Sequence, residues 1–201
     1  MSDIAKPRGL RALYAWTMRN AEGAHAWRAL ALVSFAESSF FPIPPDLMLL
    51  PMVLAKPKAA FKLAAWCTLW SVLGGMLGYA IGALLFDSVG SWLVRLYHLQ
   101  DGMADFQNWY AQNGAWVILL KGLTPIPYKL VTITSGFTHF NFVLFVLLSA
   151  ITRGARFGVL AGLLYWKGEA IRPFIEKYLE WVLLGFLAVI VLGVVLVKYV
   201  H

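Results

Sequence analysis

Apolar runs as long as a bilayer is thick set the first limit on what this chain can fold into. One covers residues from about 63 to 86, and the last, about 181 to 197, is continuous and uncharged. A helix crossing the hydrocarbon core needs ~20 predominantly apolar residues. Charged residues make up 13% of the chain, against the ~25% typical of a soluble domain. With a mean hydropathy of +0.70, the expected fold class is an all-α integral membrane protein. In lipid every backbone polar group must be satisfied internally, and helices do that within one segment.

The charge and the reactive residues narrow the function. A net charge of +7 first suggests nucleic acid. Here the basic residues flank apolar runs instead of forming one patch, as membrane flanks do, so no nucleic-acid partner is expected. Cys67 is the only cysteine, which rules out an intramolecular disulfide. His25, His98, His139 and His201 are far apart, and no metal-ligand spacing, Ser-His-Asp pattern or phosphate loop is present. No metal, no cofactor and no enzymatic activity are therefore expected. The opening "MSDIAKPRGLRALYAW" lacks the apolar core and cleavage site of a removed signal peptide.

Organisation follows from alternation of apolar and polar stretches. Residues 1–28 form a basic amphipathic segment, in which Arg11, Arg19 and Arg28 alternate with Leu, Tyr, Trp and Met. It suits a helix in the headgroup region, or equally one docked on the membrane domain. A first apolar block runs from about 29 to 55 and a span from about 63 to 86. That span carries Gly74, Gly78 and Gly82 four apart, a spacing that admits a close neighbouring backbone. The segment 87–113 is polar. A second block covers about 114–137 and a second span about 140–166. A polar linker and a C-terminal transmembrane helix occupy 167–201.

The first block contains an anomaly. "FFPIPPDLMLLP", residues 40–51, sets four prolines and Asp46 in apolar surroundings, with Glu37 just before it. Proline ends a helix and removes an amide donor. Both flanks of the block are basic, with Arg19 and Arg28 before it and Lys56, Lys58 and Lys62 after it. Basic flanks favour the cytoplasm, and a segment that enters and turns back keeps both there. Residues 29–55 are therefore expected to form a re-entrant hairpin broken at Pro42, Pro44 and Pro45. Its irregular tip must face protein or a wet cavity.

The motif returns in "GLTPIPYKL", residues 122–130. Pro42-Ile43-Pro44 matches Pro125-Ile126-Pro127 at an offset of 125 − 42 = 83. Asp46 then aligns with Lys129, and Leu47 with Leu130. A hairpin followed by a glycine-bearing span occurs twice. One hairpin plus one span leaves the second unit on the opposite side of the membrane. The architecture expected is thus an inverted repeat of re-entrant hairpin plus transmembrane helix, with an extra C-terminal helix. Broken segments at matching positions point to a midplane binding site.

The charges complete the candidate site. Glu37 and Asp46 belong to the first hairpin, Lys121 and Lys129 to the second. Arg153 and Arg156 lie three apart on the following span, so they are neighbours on one helix face. A lone charge at bilayer depth costs ~2.5–3.5 kcal/mol or more. Opposed acids and bases meeting at the two tips would offset much of that.

Residues 34–51, "SFAESSFFPIPPDLMLLP", and 121–136, "KGLTPIPYKLVTITSG", resemble the two signature segments of the DedA family. That family shares its core with the eukaryotic VTT (SNARE-associated Golgi) domain. "SAITRGARFGVLAGLLYW", 149–166, resembles the segment that follows, and the PIPYK form is most similar to the YqaA-like branch. The resemblance implies a multi-pass protein of the bacterial inner membrane with two opposed re-entrant hairpins. It implies proton-motive-force-dependent recycling of undecaprenyl phosphate, or scrambling of phospholipids as in eukaryotic relatives. Glu37 and Asp46 match the family's membrane acids. Where the family usually has two arginines around the second proline, this chain has Lys121 and Lys129, four residues either side of Pro125.

The reading expected is a lipid-phosphate flippase or scramblase whose partners are membrane lipids, an anionic lipid phosphate, and protons. Lys129, Arg153 and Arg156 would attract the phosphate, and the acids would pair with these bases in the empty state. Two alternatives use the same residues: a proton-coupled transporter of a small ion or solute, and a membrane protein that organises partners without transporting.

Overall fold

The computed structural model describes residues 23–40, 44–96, 100–123 and 128–168. Among these the chain is helical, with no strand. The basic segment 1–22, Pro42, Pro125, Pro127 and everything after residue 168, including the expected C-terminal helix, lie outside the described residues.

Helix α1 spans Ala24–Ser39 and α2 spans Asp46–Ala55. The break falls where the prolines demand it. The last amide of α1, on Phe40, still reaches Ala36 O at 2.9 Å. Pro44 and Pro45 then lend their carbonyls to Leu47, Met48 and Leu49, starting a new helix. Asp46 sits in the first turn of α2, where a carboxylate complements the helix dipole. Pro51 lies inside this short helix.

A tight turn, Pro57–Ala59, leads into α3, Ala60–Leu85. It continues through a π-helical turn, Phe86–Gly90, into the short α4, Ser91–Leu96. Helix α5, Gln100–Leu123, is one continuous helix. The polar segment expected to end at 113 and the block expected to start at 114 are thus joined. Gln, Asn and Asp on an exposed face do not stop a helix that contains no proline. Helix α6 is Tyr128–Phe137 and α7 is Phe142–Gly168.

The α6–α7 corner is specified locally. Phe140 N–H bonds Ser135 O and His139 N–H bonds Gly136 O, both at 2.9 Å, around His139 at φ 51°. This is the Schellman end, with histidine in the left-handed position glycine usually takes. Asn141 Oδ1 then accepts from Leu144 N–H at 2.9 Å and caps α7. His139 Nε2 lies 3.2 Å from Asp87 in the π-helical turn, which ties this corner to the end of α3.

The repeat read in the sequence holds at the level of elements. Shifting α2 (46–55) by 83 gives 129–138, against 128–137 for α6. Shifting α3 (60–85) gives 143–168, against 142–168 for α7.

The surface is inverted relative to a water-soluble protein. Large apolar side chains on α3 and α7 point outward, among them Leu84, Leu147, Ile151, Val159 and Trp166. The buried face of α3 is small instead: Ala64, Cys67, Ser71, Gly74, Gly75, Gly78 and Gly82. The regions 57–88 and 142–168 are each long and apolar enough to cross a bilayer. Glycine is required where backbones touch. A Cβ on Gly74 would land on the Phe35 carbonyl of α1, and Cβ atoms on Gly82 and Gly136 would land on the Ile133 and Tyr79 carbonyls. Without the small stripe, α1 and α6 could not both lie against α3.

Two apolar clusters flank this crossing. One joins Leu30 of α1, Met48, Leu49, Met52 and Val53 of α2, Leu63 of α3 and Phe157 of α7. The other joins Tyr110 and Ile118 of α5, Tyr128 and Val131 of α6 and Phe145 of α7.

Candidate functional site

Between the clusters lies a polar seam. The end of α1 brings Ser34, Ser38 and Glu37, one turn apart or less. The middle of α3 offers Cys67 and Ser71 at the same four-residue spacing. The two helices meet hydroxyl to thiol and hydroxyl to hydroxyl, with Ser34 Oγ 3.1 Å from Cys67 Sγ and Ser38 Oγ 2.7 Å from Ser71 Oγ. Thr132 of α6 closes the seam by donating to Ser38 O at 3.2 Å.

Arg153 of α7 enters this seam and is 1% exposed. Its Nε donates to Ser71 Oγ at 2.7 Å and its Nη2 to Glu37 Oε2 at 2.8 Å. Ser38 Oγ donates to the same Glu37 oxygen at 3.3 Å. Guanidinium is donor-only. Ser71 must therefore accept from Arg153 and pass its own hydrogen to Ser38. The result is a closed ring of four side chains, Arg153, Ser71, Ser38 and Glu37, in which both hydroxyls give one bond and take one. The guanidinium carbon sits 4.7 Å from the ring centroids of both Tyr128 and Phe157, so aromatic faces replace part of its lost hydration.

A second pair lies one turn along α7. Arg156 Nη2 donates to Asp46 Oδ2 at 2.6 Å. This pair is more open, with side chains 26% and 25% exposed, against 1% and 14% for Arg153 and Glu37. Asp46 Oδ1 is nonetheless buried and has no hydrogen-bond partner among the described residues.

Four of the six charged candidates are therefore brought together: Glu37 and Asp46 with Arg153 and Arg156. The acids meet the arginines of the last described helix. Asp46 faces Arg156, and Lys129, its counterpart in the repeat, heads α6 half-buried and makes no ion pair among the described residues. Lys121 belongs to α5, but its side chain lies outside the described residues. Of the expected hairpin breaks, Pro44 and Pro45 stand between α1 and α2. No group of three or more metal-binding side chains occurs among the described residues.

Sequence reasoning missed Ser38, Ser71, Tyr128 and Phe157. A signal existed for the first two. Ser34 and Ser38, and Cys67 and Ser71, are small polar residues four apart in apolar segments, the spacing of a helix–helix contact in lipid. No comparable cue marks Tyr128 or Phe157, whose role depends on where Arg153 lies.

A family model for the VTT domain matches residues 43–165, from the start of α2 to near the end of α7. An uncharacterized protein of Haemophilus influenzae is 40% identical over 166 residues, which is 83% of this chain and 84% of that protein. An uncharacterized HI0703 homolog of Histophilus somni is 37% identical over 183 residues, 91% of this chain and 94% of that one. No solved structure matches. The domain match takes in the helices of both repeats except α1, and with it more than half of the sequence: the chain belongs to the VTT-domain family, the DedA family of membrane proteins.

Proposed function

We propose that this protein moves a lipid phosphate, such as undecaprenyl phosphate or a phospholipid, between the leaflets of the bacterial inner membrane, in exchange with protons. One observation carries the reading: two acid–arginine pairs whose arginines both lie on α7, a helix long and apolar enough to cross a bilayer. Such charges are costly at bilayer depth and mark substrate or proton paths. The head of a lipid phosphate needs a partly basic route, whereas its tail remains in hydrocarbon. Arg153 and Arg156 make the route basic, and a guanidinium fork fits phosphate. Glu37 and Asp46 balance their charge when no substrate is present. No covalent chemistry is assigned to the site.

The helix lengths support a re-entrant arrangement. Helices α2 and α6 have 10 residues each, or ~15 Å at 1.5 Å per residue. That is about half of the ~30 Å hydrocarbon core. Both are preceded by proline motifs at matching repeat positions. On this reading α1–α2 and α5–α6 dip from opposite leaflets, and the membrane-spanning helices are α3 and α7.

The test is a leaflet-resolved assay in liposomes, with labelled polyprenyl phosphate or phospholipid, with and without a pH gradient. Movement well above that in protein-free vesicles, changed by the gradient, is expected. Movement no faster than in protein-free vesicles removes lipid transport. Proton flux driven by a small solute without lipid movement would identify a solute transporter instead.

A further inference from the structure

The two ion pairs are not equivalent, and the difference divides the work between them. Glu37 Oε2 accepts from both Arg153 and Ser38. Arg153 is held at Nε by Ser71 and between two aromatic faces. Removing Glu37 from this ring would strand two buried donors at once, Ser38 Oγ and Arg153 Nη2. Among the described residues Asp46 has one side-chain tie, the 2.6 Å bond from Arg156, and its other oxygen is buried without a partner. A buried carboxylate oxygen without a donor is unfavourable as an anion. A proton on it removes that cost, and the protonated group is a donor in its turn.

We infer that Asp46 is the carboxylate that takes the proton, on Oδ1, and that Arg156 is the cation thereby freed to hold an anionic phosphate, while the Glu37–Arg153 ring stays closed as a fixed support. The inference rests on the lipid-phosphate reading for the nature of the anion, though not for the ranking of the two acids. Charge is conserved through the step. The empty site holds two acids and two arginines and is neutral. One proton on Asp46 leaves one positive charge, which a singly charged phosphate cancels. Among the described residues the other ionisable groups in this cluster are Arg153 on α7, Glu37 on α1, Cys67 on α3 and Tyr128 on α6. With Arg153 and Glu37 paired to each other, Arg156 is the cation of this cluster available to an incoming anion. Its quarter exposure, against the near-complete burial of Arg153, gives that anion a way in.

Dicyclohexylcarbodiimide tests this directly, because it dissolves in the bilayer and reacts with protonated carboxyls. The carboxyl O–H adds across one C=N bond, the acylisourea rearranges to a stable acylurea, and nothing leaves. Full-length protein in phosphatidylcholine nanodiscs, with and without a minor fraction of phosphatidic acid, is labelled and the site mapped by mass spectrometry. Asp46 is expected to label about tenfold faster than Glu37 or more, the ratio set by ~1.4 kcal/mol. Phosphatidic acid should raise labelling at Asp46 alone, since proton and anion binding are reciprocally linked. Ser71→Ala, which opens the ring without removing a charge, should bring Glu37 into reaction. Equal or faster labelling of Glu37 in the unmodified protein overturns the inference, as does a phosphatidic-acid effect confined to Glu37. If Asp46 labels selectively while liposomes move no lipid phosphate, the transport reading falls and the ranking of the acids stands. If lipid moves while Glu37 labels first, the reverse holds.

Discussion

Arg153 reaches Glu37 at 2.8 Å across 116 residues of sequence, joining the last described helix to the end of the first. Burying two charges is costly, and a buried pair often contributes little net stability. Removing one partner is different, because it leaves the other charged and unpaired. Arg153→Met should therefore lower stability by about 3–5 kcal/mol, and thermal unfolding in detergent would register it. Glu37→Gln in the same background should restore part of the loss, since it removes the stranded charge. A double variant no more stable than the single one would mean that the two residues do not depend on each other.

The glycines give a prediction independent of charge. Gly74→Ala, Gly82→Ala and Gly136→Ala each push a methyl into a neighbouring carbonyl, and overpacking of this kind costs ~1–3 kcal/mol or more. A Cβ on Gly158 of α7 meets no atom within 4 Å, so Gly158→Ala should be neutral or stabilising by up to ~1 kcal/mol. Melting temperatures of the four variants should separate into these two groups.

Activity should separate from folding at the acids. Asp46→Asn keeps the shape at the head of α2 and removes the charge that faces Arg156. It should abolish proton-coupled lipid movement in liposomes while expression and melting stay close to those of the unmodified protein. Glu37→Ala should also abolish movement, but with a lower melting temperature, because Ser38 and Arg153 lose their shared acceptor. Wild-type transport in both variants would remove the acids from the mechanism.

Much of this was legible before any coordinates. The acids, the arginines and the 83-residue offset could be read from proline placement and from charges in apolar runs, because both are costly in lipid and stand out. That the acids pair with these bases was legible too, but which acid meets which base was not. Alignment of the repeats set Asp46 against Lys129, yet the contact is with Arg156, since helix crossing, not repeat position, decides which side chains meet. The crossing depends on Gly74, Gly82 and Gly136 approaching carbonyls on other helices, and spacing within one helix does not name the partner. The continuity of α5 through 100–123 is likewise hidden in the sequence, because a polar stretch reads as a connection and here marks an exposed helical face.

The re-entrant reading makes its own prediction about sidedness. His25 near the start of α1 and Lys58 after α2 are both exposed. If α1 and α2 turn back within the membrane, the two positions share a face. Single cysteines there, in a Cys67→Ala background, should both react with an impermeant maleimide applied to inside-out vesicles, and both be protected in right-side-out ones. The basic run Lys56, Lys58 and Lys62 selects the cytoplasmic side for that face. A crossing pair would put His25 and Lys58 on opposite faces only if α1, the break and α2 together spanned the core as one path. Helix α1, 16 residues or ~24 Å, and α2, ~15 Å, are together long enough for such a path through the ~30 Å core. Both lie against α3 and share a cluster with it, and labelling from opposite sides would show that they do so in series and not as a hairpin.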